Sequence, residues 1–269
     1  MSPDLSGGCL VDSPPDLRRN HLLAALPDAE FRRLLPQLDW VALPLGHVLY
    51  ESGSKMSHVY FPTTALVSLL YELEDGTSAE TALVGNEGIV GIAVFMGGES
   101  RLGRAVVLGA GHGFRLGAQA LKDEFERAGP LMDLLLRYTQ ALITQIAQTA
   151  VCNRRHSLDQ QLCRWLLLSL DRLPGDDIVM TQQVIATMLG VRREGVTEAA
   201  LELQKLGLIH YARGHIAVLD RAGLEDRACE CYAVVKNEYE RLLPDRVTTK
   251  PAVRRMSSQP AASTDLYVR

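Results

Sequence analysis

No run of apolar residues in this chain approaches the roughly 20 that a bilayer-spanning helix requires, so no membrane partner is expected. The opening stretch, Met1 to Arg19, has no basic start leading into an apolar segment. Asp4, Asp12, Pro14, Pro15 and Asp16 interrupt it, and it does not read as a signal peptide. A cytoplasmic protein is the expectation. Cysteine is sparse and scattered: Cys9, Cys152, Cys163, Cys229 and Cys231 are odd in number and form no CxxC pair, so no disulfide framework is expected. Cys152 and Cys163 fall in helical stretches and read as ordinary buried thiols. Cys229 and Cys231, taken on one helix, point about 200° apart, a poor geometry for one metal. No metal and no other cofactor is expected. An excess of positive charge is also missing. The net charge is −4, so composition alone does not announce a nucleic-acid binder, and any DNA binding must rest on a local patch. From Arg154 to Arg221 there are nine Arg/Lys and eight Asp/Glu, a balance of 9 − 8 = +1. No GxSxG, HExxH or P-loop pattern occurs, so the chemistries those motifs carry have no foothold and no catalytic residue is assigned.

What is present is ordinary globular material: 269 residues, 47% hydrophobic and 22% charged, enough for two domains with their own cores. After the Pro/Ser/Gly-rich start, Leu22, Leu23 and Leu26, then Phe31, Leu34 and Leu35, recur at helical spacing. From Leu38 to Phe114 the texture changes to short runs of Val, Leu, Tyr and Phe cut by glycines, the pattern of an all-β barrel or roll. Glu74-Asp75-Gly76-Thr77 reads as a hairpin turn, because Asp-Gly accepts the positive φ that tight turns demand. The chain turns helical from Leu116. Pro130 sits near the start of a long helix, where its missing N–H costs nothing. Along it Leu131, Leu135, Tyr138, Leu142, Gln145 and Thr149 recur at spacings of four and three, a seam for a partner helix. Leu134, Ala141 and Ile146 define a neighbouring stripe, so the register stays open. Leu158 to Leu173 is a further amphipathic helix ended by Pro174-Gly175, and Gly223 to Leu243 reads as one more. The tail from Pro244 carries Arg246, Lys250, Arg254, Arg255 and Arg269 among Pro, Ser and Ala, a mildly basic, disordered composition.

The informative stretch runs from Thr181 to Ile209. Thr181 suits the N-cap of a short helix that carries Ile185, Ala186 and Leu189 inward. Gly190 supplies the backbone freedom of a tight turn. A second helix begins near Arg192, with Val196, Ala200, Leu203 and Leu206 as its apolar face and Arg192, Arg193, Gly195, Thr197 and Glu198 outward. Two helices across a glycine turn, with basic residues leading the second, is the plan of a helix-turn-helix. Arg193 has the reach to donate two hydrogen bonds to G O6 and N7, and Glu194 can accept from C N4. Gly195 keeps the backbone slim. The hairpin around Ala212-Arg213-Gly214-His215 makes a wing, with His210, Arg213 and His215 near a phosphate strand; Tyr211 suits core or contact equally.

This stretch resembles the Crp/Fnr family of regulators. It carries the family's Thr-x-x-x-Ile-Ala-x-x-Leu-Gly-x-x-Arg-Glu-x-Val pattern as Thr181, Ile185, Ala186, Leu189, Gly190, Arg193, Glu194 and Val196, followed by the closing Leu203 to Ile209. Gly46-x-x-Leu49-x-x-x-Gly53 and Gly85-Asn-Glu-Gly88 look like the family's β-roll, and Arg154 to Leu168 like the helix leading into its DNA-binding domain. The resemblance spans about Asn20 to Arg221. It implies an α+β chain: a disordered start (1–19), a β-roll sensor of cyclic-nucleotide-binding type (20–128), a dimerisation helix (129–153), a winged helix-turn-helix (154–225), a C-terminal helix (226–243) and a disordered tail (244–269). It implies a homodimer on a pseudo-palindromic stretch of double-stranded DNA, with RNA polymerase as a further partner if the regulator activates. Arg193 and Glu194 fall at the family's base-reading positions, whereas a further basic position one turn on is Glu198 here, so the preferred half-site differs.

The sensor's effector is an unknown small molecule or none. Where nucleotide-binding relatives have a Gly-Glu pair, this chain reads Val90-Gly91-Ile92-Ala93, and their Arg-Ser/Thr-Ala run is here Gly103-Arg104-Ala105. Gly91 and Arg104 are what remains of an effector site, and cAMP is not the expected ligand. An iron–sulfur sensor needs about four placed cysteines, and only Cys9 lies in the N-terminal half. His47, His58 and His112 offer haem ligands in number only. Two rival readings remain. Gly109-Ala-Gly111-His-Gly113 mimics a dinucleotide-binding turn but has Phe114 at the third glycine and no acidic residue closing a second strand. The other is a ligand-sensing module that regulates a protein partner through a degenerate helix-turn-helix.

Overall fold

The computed structural model describes residues 17–98, 103–175 and 177–243; the expectations for residues 1–16, Cys9 among them, and for the tail 244–269 lie outside the described residues. Leu17–Arg19, expected in the unstructured start, form a 3-10 turn. The first amphipathic stretch is two helices, α1 (His21–Ala24) and α2 (Asp28–Leu34), because Pro27 lacks the amide that would continue the first. Asn20 caps α1: its side-chain oxygen accepts from the Leu22 and Leu23 amides, and its Nδ2 donates to the carbonyls of Pro62 and Gly88. A buried amide is thereby fully used.

Among the described residues seven strands follow: β1 (Leu38–Leu43), β2 (Val48–Tyr50), β3 (His58–Pro62), β4 (Leu66–Glu72), β5 (Ser78–Val84), β6 (Gly103–Gly109) and β7 (Gly111–Gly117). They form two antiparallel sheets, β1-β7-β3 and β2-β6-β4-β5. In β4 the run from Leu66 to Leu70 is buried without alternation, as a central strand is when both its faces are covered. The β4–β5 connection is the expected Asp75-Gly76 turn: Asp75 accepts from the Thr77 amide at 2.9 Å, and Gly76 has φ +81°. Gly109-Ala110-Gly111 joins β6 to β7 within the roll. A Cβ at Gly111 would lie 2.5 Å from the carbonyl carbon of Thr64, so this glycine permits a close backbone crossing. It is no dinucleotide turn, which needs a strand leading into a helix.

After α3 (Ala118–Glu126) comes α4 (Pro130–Arg155), a 26-residue helix with Pro130 in its first turn. Its burial corrects the expected seam. Leu131, Leu135, Tyr138, Leu142, Gln145 and Thr149 are all buried within their own chain, against β5 and the C-terminal helix. Tyr138 lies so close over Gly88 that a Cβ there would sit 2.2 Å from its ring. The apolar side chains left outward are Leu136, Ile143, Ile146 and Val151, with Met132 half-buried in line.

The C-terminal third contains α5 (Leu158–Leu170), β8 (Asp177–Val179), α6 (Gln182–Leu189), α7 (Arg193–Lys205), β9 (Ile209–Ala212), β10 (His215–Val218), α8 (Arg221–Arg227) and α9 (Glu230–Leu242). α5 opens with a reciprocal capping box between Ser157 and Gln160. The strand β8 has no counterpart in the sequence reading; it pairs with β10 to give the order β8-β10-β9. The expected single helix from Gly223 is broken, because Ala228 and Cys229 are both extended. Among the described residues no helix is long and apolar enough to cross a membrane. One continuous apolar core joins the roll, α4 and the C-terminal third.

Candidate nucleic-acid interface

α6 and α7 meet as the sequence requires. The Thr181 hydroxyl accepts from the Val184 amide at 3.3 Å, and Gly190 closes α6 in the left-handed region at φ +66°. Ile185, Ala186, Met188 and Leu189 face inward from α6, and Val196, Ala200 and Leu203 from α7. Leu206, expected on that inner face, lies exposed at the helix end. Arg192 is the N-cap residue of α7, with extended backbone and no side-chain hydrogen bond to the helix, so no side chain caps the first amides of α7. Arg192, Arg193, Glu194 and Glu198 are exposed around that end.

Two expected contacts face elsewhere. Gly195 is turned toward α5, where a Cβ would lie 2.8 Å from Leu158 Cδ2, so it serves helix packing rather than a slim outer edge. Thr197 is half-buried. Its hydroxyl lies 2.8 Å from Gln182 Oε1 and 3.0 Å from the Arg193 carbonyl, fastening α7 to α6.

The wing is a two-residue hairpin in which Arg213 (φ +51°) and Gly214 (φ +82°) both take positive φ, the geometry that matches strand twist. Arg213, His210 and His215 are exposed. Tyr211 resolves toward structure: its amide donates to Gln204 Oε1 and its hydroxyl to the Met180 carbonyl at 2.8 Å. Burial raises its pKa, against the pull of Arg193. Between the wing and the helix pair lies an open cleft of about 530 Å³, lined by Thr181, Gln182, Gln183, Arg193, Tyr211 and Arg213 with Gly214. Three residues expected at the interface, Thr181, Arg193 and Arg213, are thus brought together around one concave surface that carries two guanidinium groups.

The remnant effector residues each have partners of their own. Gly91 is pressed against the roll interior at φ +119°, with its Cβ position 2.8 Å from Met56 Cε and Val59 Cγ1. Arg104 pairs with Glu51 at 3.0 Å.

A buried polar network that sequence reasoning missed joins the two halves. Trp165 Nε1 donates to Glu80 Oε1 at 3.0 Å, and the Ser68 hydroxyl donates to Glu80 Oε2 at 2.6 Å. Desolvation raises the Glu80 carboxyl to about 7, against the pull of Ser68 and the nearby Arg164. Arg172 donates to Glu87 at 2.7 Å and to Gln145 at 3.1 Å, while Gln145 donates to the Leu83 carbonyl. Burial alone would lower the Arg172 pKa, but Glu87, together with Tyr239 and Asp171, outweighs it and holds the cation above its ordinary value. Gln145 is therefore an interdomain strut. α6 also rests on the roll, with the Ser68 hydroxyl 3.3 Å from Met188 Sδ.

The chain is thus a β-roll linked by a long helix to a winged helix-turn-helix. Residues 160–227 match the family model of the Crp-like helix-turn-helix domain. No curated sequence matches the chain. Among solved structures it is similar to FixK2 from Bradyrhizobium japonicum, at 17% identity and TM-score 0.60 over 71% of this chain and 98% of that one. It is similar to the c-di-GMP-responsive global regulator CLP of Xanthomonas campestris, at 16% identity and TM-score 0.58 over 71% and 99%. A Crp/Fnr-family transcriptional regulator from Thermus thermophilus is similar at 23% identity and TM-score 0.55 over 71% and 98%. Residues 160–227 are thus similar to a Crp-like helix-turn-helix domain, and these solved structures share the fold of the chain.

Proposed function

We propose that this chain is a dimeric, sequence-specific transcription regulator that lays α7 in the major groove of a pseudo-palindromic site. The observation that carries the reading is the cleft where Thr181, Arg193 and Arg213 converge beside the open N-terminus of α7. The uncapped amides and the Arg213 guanidinium there suit a phosphate strand, while Arg193 and Glu194 suit base edges. Glu198 repels phosphate one turn on and biases the choice of half-site. The roll (20–128) is the sensory part and 154–225 the DNA-binding part. The exposed Leu136, Ile143 and Ile146 of α4, with the half-buried Met132 in line, supply the dimer seam, one face round from the buried one. Arg104 and Gly91 form no ligand clasp in this reading, so the effector is not a cyclic nucleotide held as in the nucleotide-binding relatives.

Selection of bound duplexes from a random pool tests this. The expected product is two inverted half-sites centred about one helical turn, roughly 34 Å, apart. Arg193→Ala should relax one base position per half-site, at a loss of about 1–3 kcal/mol of discrimination. Enrichment of no sequence, or unchanged preference in Arg193→Ala, would contradict the assignment of α7.

A further inference from the structure

Away from the cleft, four side chains converge where the last turns of α4 meet the start of α9. The Sγ atoms of Cys152, Cys229 and Cys231 and a ring nitrogen of His156 all lie within 4.8 Å of one another. Cys152 Sγ is 3.5 Å from Cys229 Sγ, and Cys231 Sγ is 3.6 Å from His156 Nδ1. Zinc–sulfur bonds of about 2.3 Å set the edges of a tetrahedral site at roughly 3.5–3.8 Å, so the cluster needs only slight contraction. Cys229 and Cys231 do not share one helix, so their thiols are not held about 200° apart. Cys229 is the N-cap residue of α9, with φ −75° and ψ 163°, and only Cys231 is helical; the extended residue swings its thiol to the same side. Cys152 and His156 stand four apart at the end of α4, on one face.

We propose that Cys152, His156, Cys229 and Cys231 form a closed zinc site that ties the end of α4 to the start of α9. Three thiolates and one imidazole, all from the protein, are the donor set of a structural zinc centre. Two further observations fit that ion. His156 turns Nδ1 to the cluster while its Nε2 meets Glu230 at 3.4 Å, the carboxylate–histidine arrangement that orients a metal-bound ring. Arg164, itself buried, lies close enough to act electrostatically on Cys152 and Cys231, and its Nε has no hydrogen-bond partner among the described residues. Zn²⁺ with three thiolates carries a net charge of −1, which this guanidinium answers. Binding sends three thiol protons to solvent and changes no oxidation state. The three cysteines form a small buried cluster separate from the main core that holds Tyr232, Val235 and Tyr239, so the metal would fix the first turn of α9 beyond that core.

The test needs no DNA, so it stands or falls apart from the proposed function. Full-length protein purified with reductant and no added metal should carry about one equivalent of zinc by elemental analysis. Titration of the metal-free chain with Co²⁺ should give the visible ligand-field bands of a tetrahedral site and sulfur-to-cobalt charge transfer. Cys231→Ser should lose stoichiometric zinc, whereas Cys163→Ser, a buried thiol outside the cluster, should keep it. If Cys231→Ser does not fold, His156→Cys keeps four ligands and should hold cobalt with stronger charge transfer. Wild-type protein with neither zinc nor a tetrahedral cobalt spectrum would overturn the proposal. So would full zinc retention in Cys231→Ser, or a Cys152–Cys229 disulfide in metal-free protein under reducing conditions.

Discussion

Glu80 is a carboxyl group placed where its charge is disfavoured, with Ser68, Trp165 and the neighbouring Arg164 and Arg172 guanidiniums partly offsetting the loss of water. Its folded value, about 7, lies above the ordinary 4.5. The folded state therefore holds this proton where the unfolded chain has released it. Its stabilising effect is complete at low pH and falls as pH rises from about 4.5, gone once pH passes about 7. Glu80→Gln should flatten this dependence. Melting temperatures at about pH 5 and about pH 8 would differ less in the variant than in the parent, by the equivalent of about 1–3 kcal/mol. An undiminished difference would remove Glu80 from the account. Arg213 shows the opposite balance, a non-glycine residue held at φ +51° at the tip of an exposed hairpin. Arg213→Gly should relieve about 1 kcal/mol of backbone strain and raise the melting temperature while weakening duplex binding. A variant that loses stability and keeps affinity would contradict the role of the wing. Such residues were legible to different degrees. Thr181, Gly190 and Arg193 announce themselves because caps, turns and helix faces are local. Glu80 gives no local sign, because its partner Trp165 is 85 residues away.

At the scale of elements, α4 carries the sharpest lesson. Its helical period was plain in the sequence, but apolar residues occupy two adjacent stripes, and spacing alone cannot tell which faces the chain's own core. Burial decides it: Leu142 is 1% exposed and Ile143 50%. Charge at Leu142 would therefore damage the core rather than divide a dimer. Ile143→Glu should give a monomer by sedimentation with a nearly unchanged melting temperature, whereas Leu142→Ala should cost about 2–5 kcal/mol of stability. A dimer that survives Ile143→Glu would place the seam elsewhere. Other elements escaped for equally physical reasons. β8 is three residues long, too short for any periodic signal. The break between α8 and α9 lies at Ala228-Cys229 with neither glycine nor proline to mark it, and with it went the reason to bring Cys229 and Cys231 together with α4.

For the whole molecule, the order of roll, long helix and winged helix-turn-helix was readable, because glycine-cut strands and amphipathic helices differ in period. How the halves seat on each other was not. That seating rests on long-range pairs, Arg172 with Glu87 and Trp165 with Glu80, and on α6 lying against β5. The central claim is that the exposed end of α7 and the wing grip duplex DNA. It is tested most directly by fluorescence anisotropy of a labelled random duplex titrated with the protein across a series of salt concentrations. The account predicts measurable binding at low salt, with log K falling linearly and steeply against log salt as several phosphate contacts displace counterions. The slope should shrink in Arg213→Gly. Absence of binding at low ionic strength, or an affinity indifferent to salt, would contradict it.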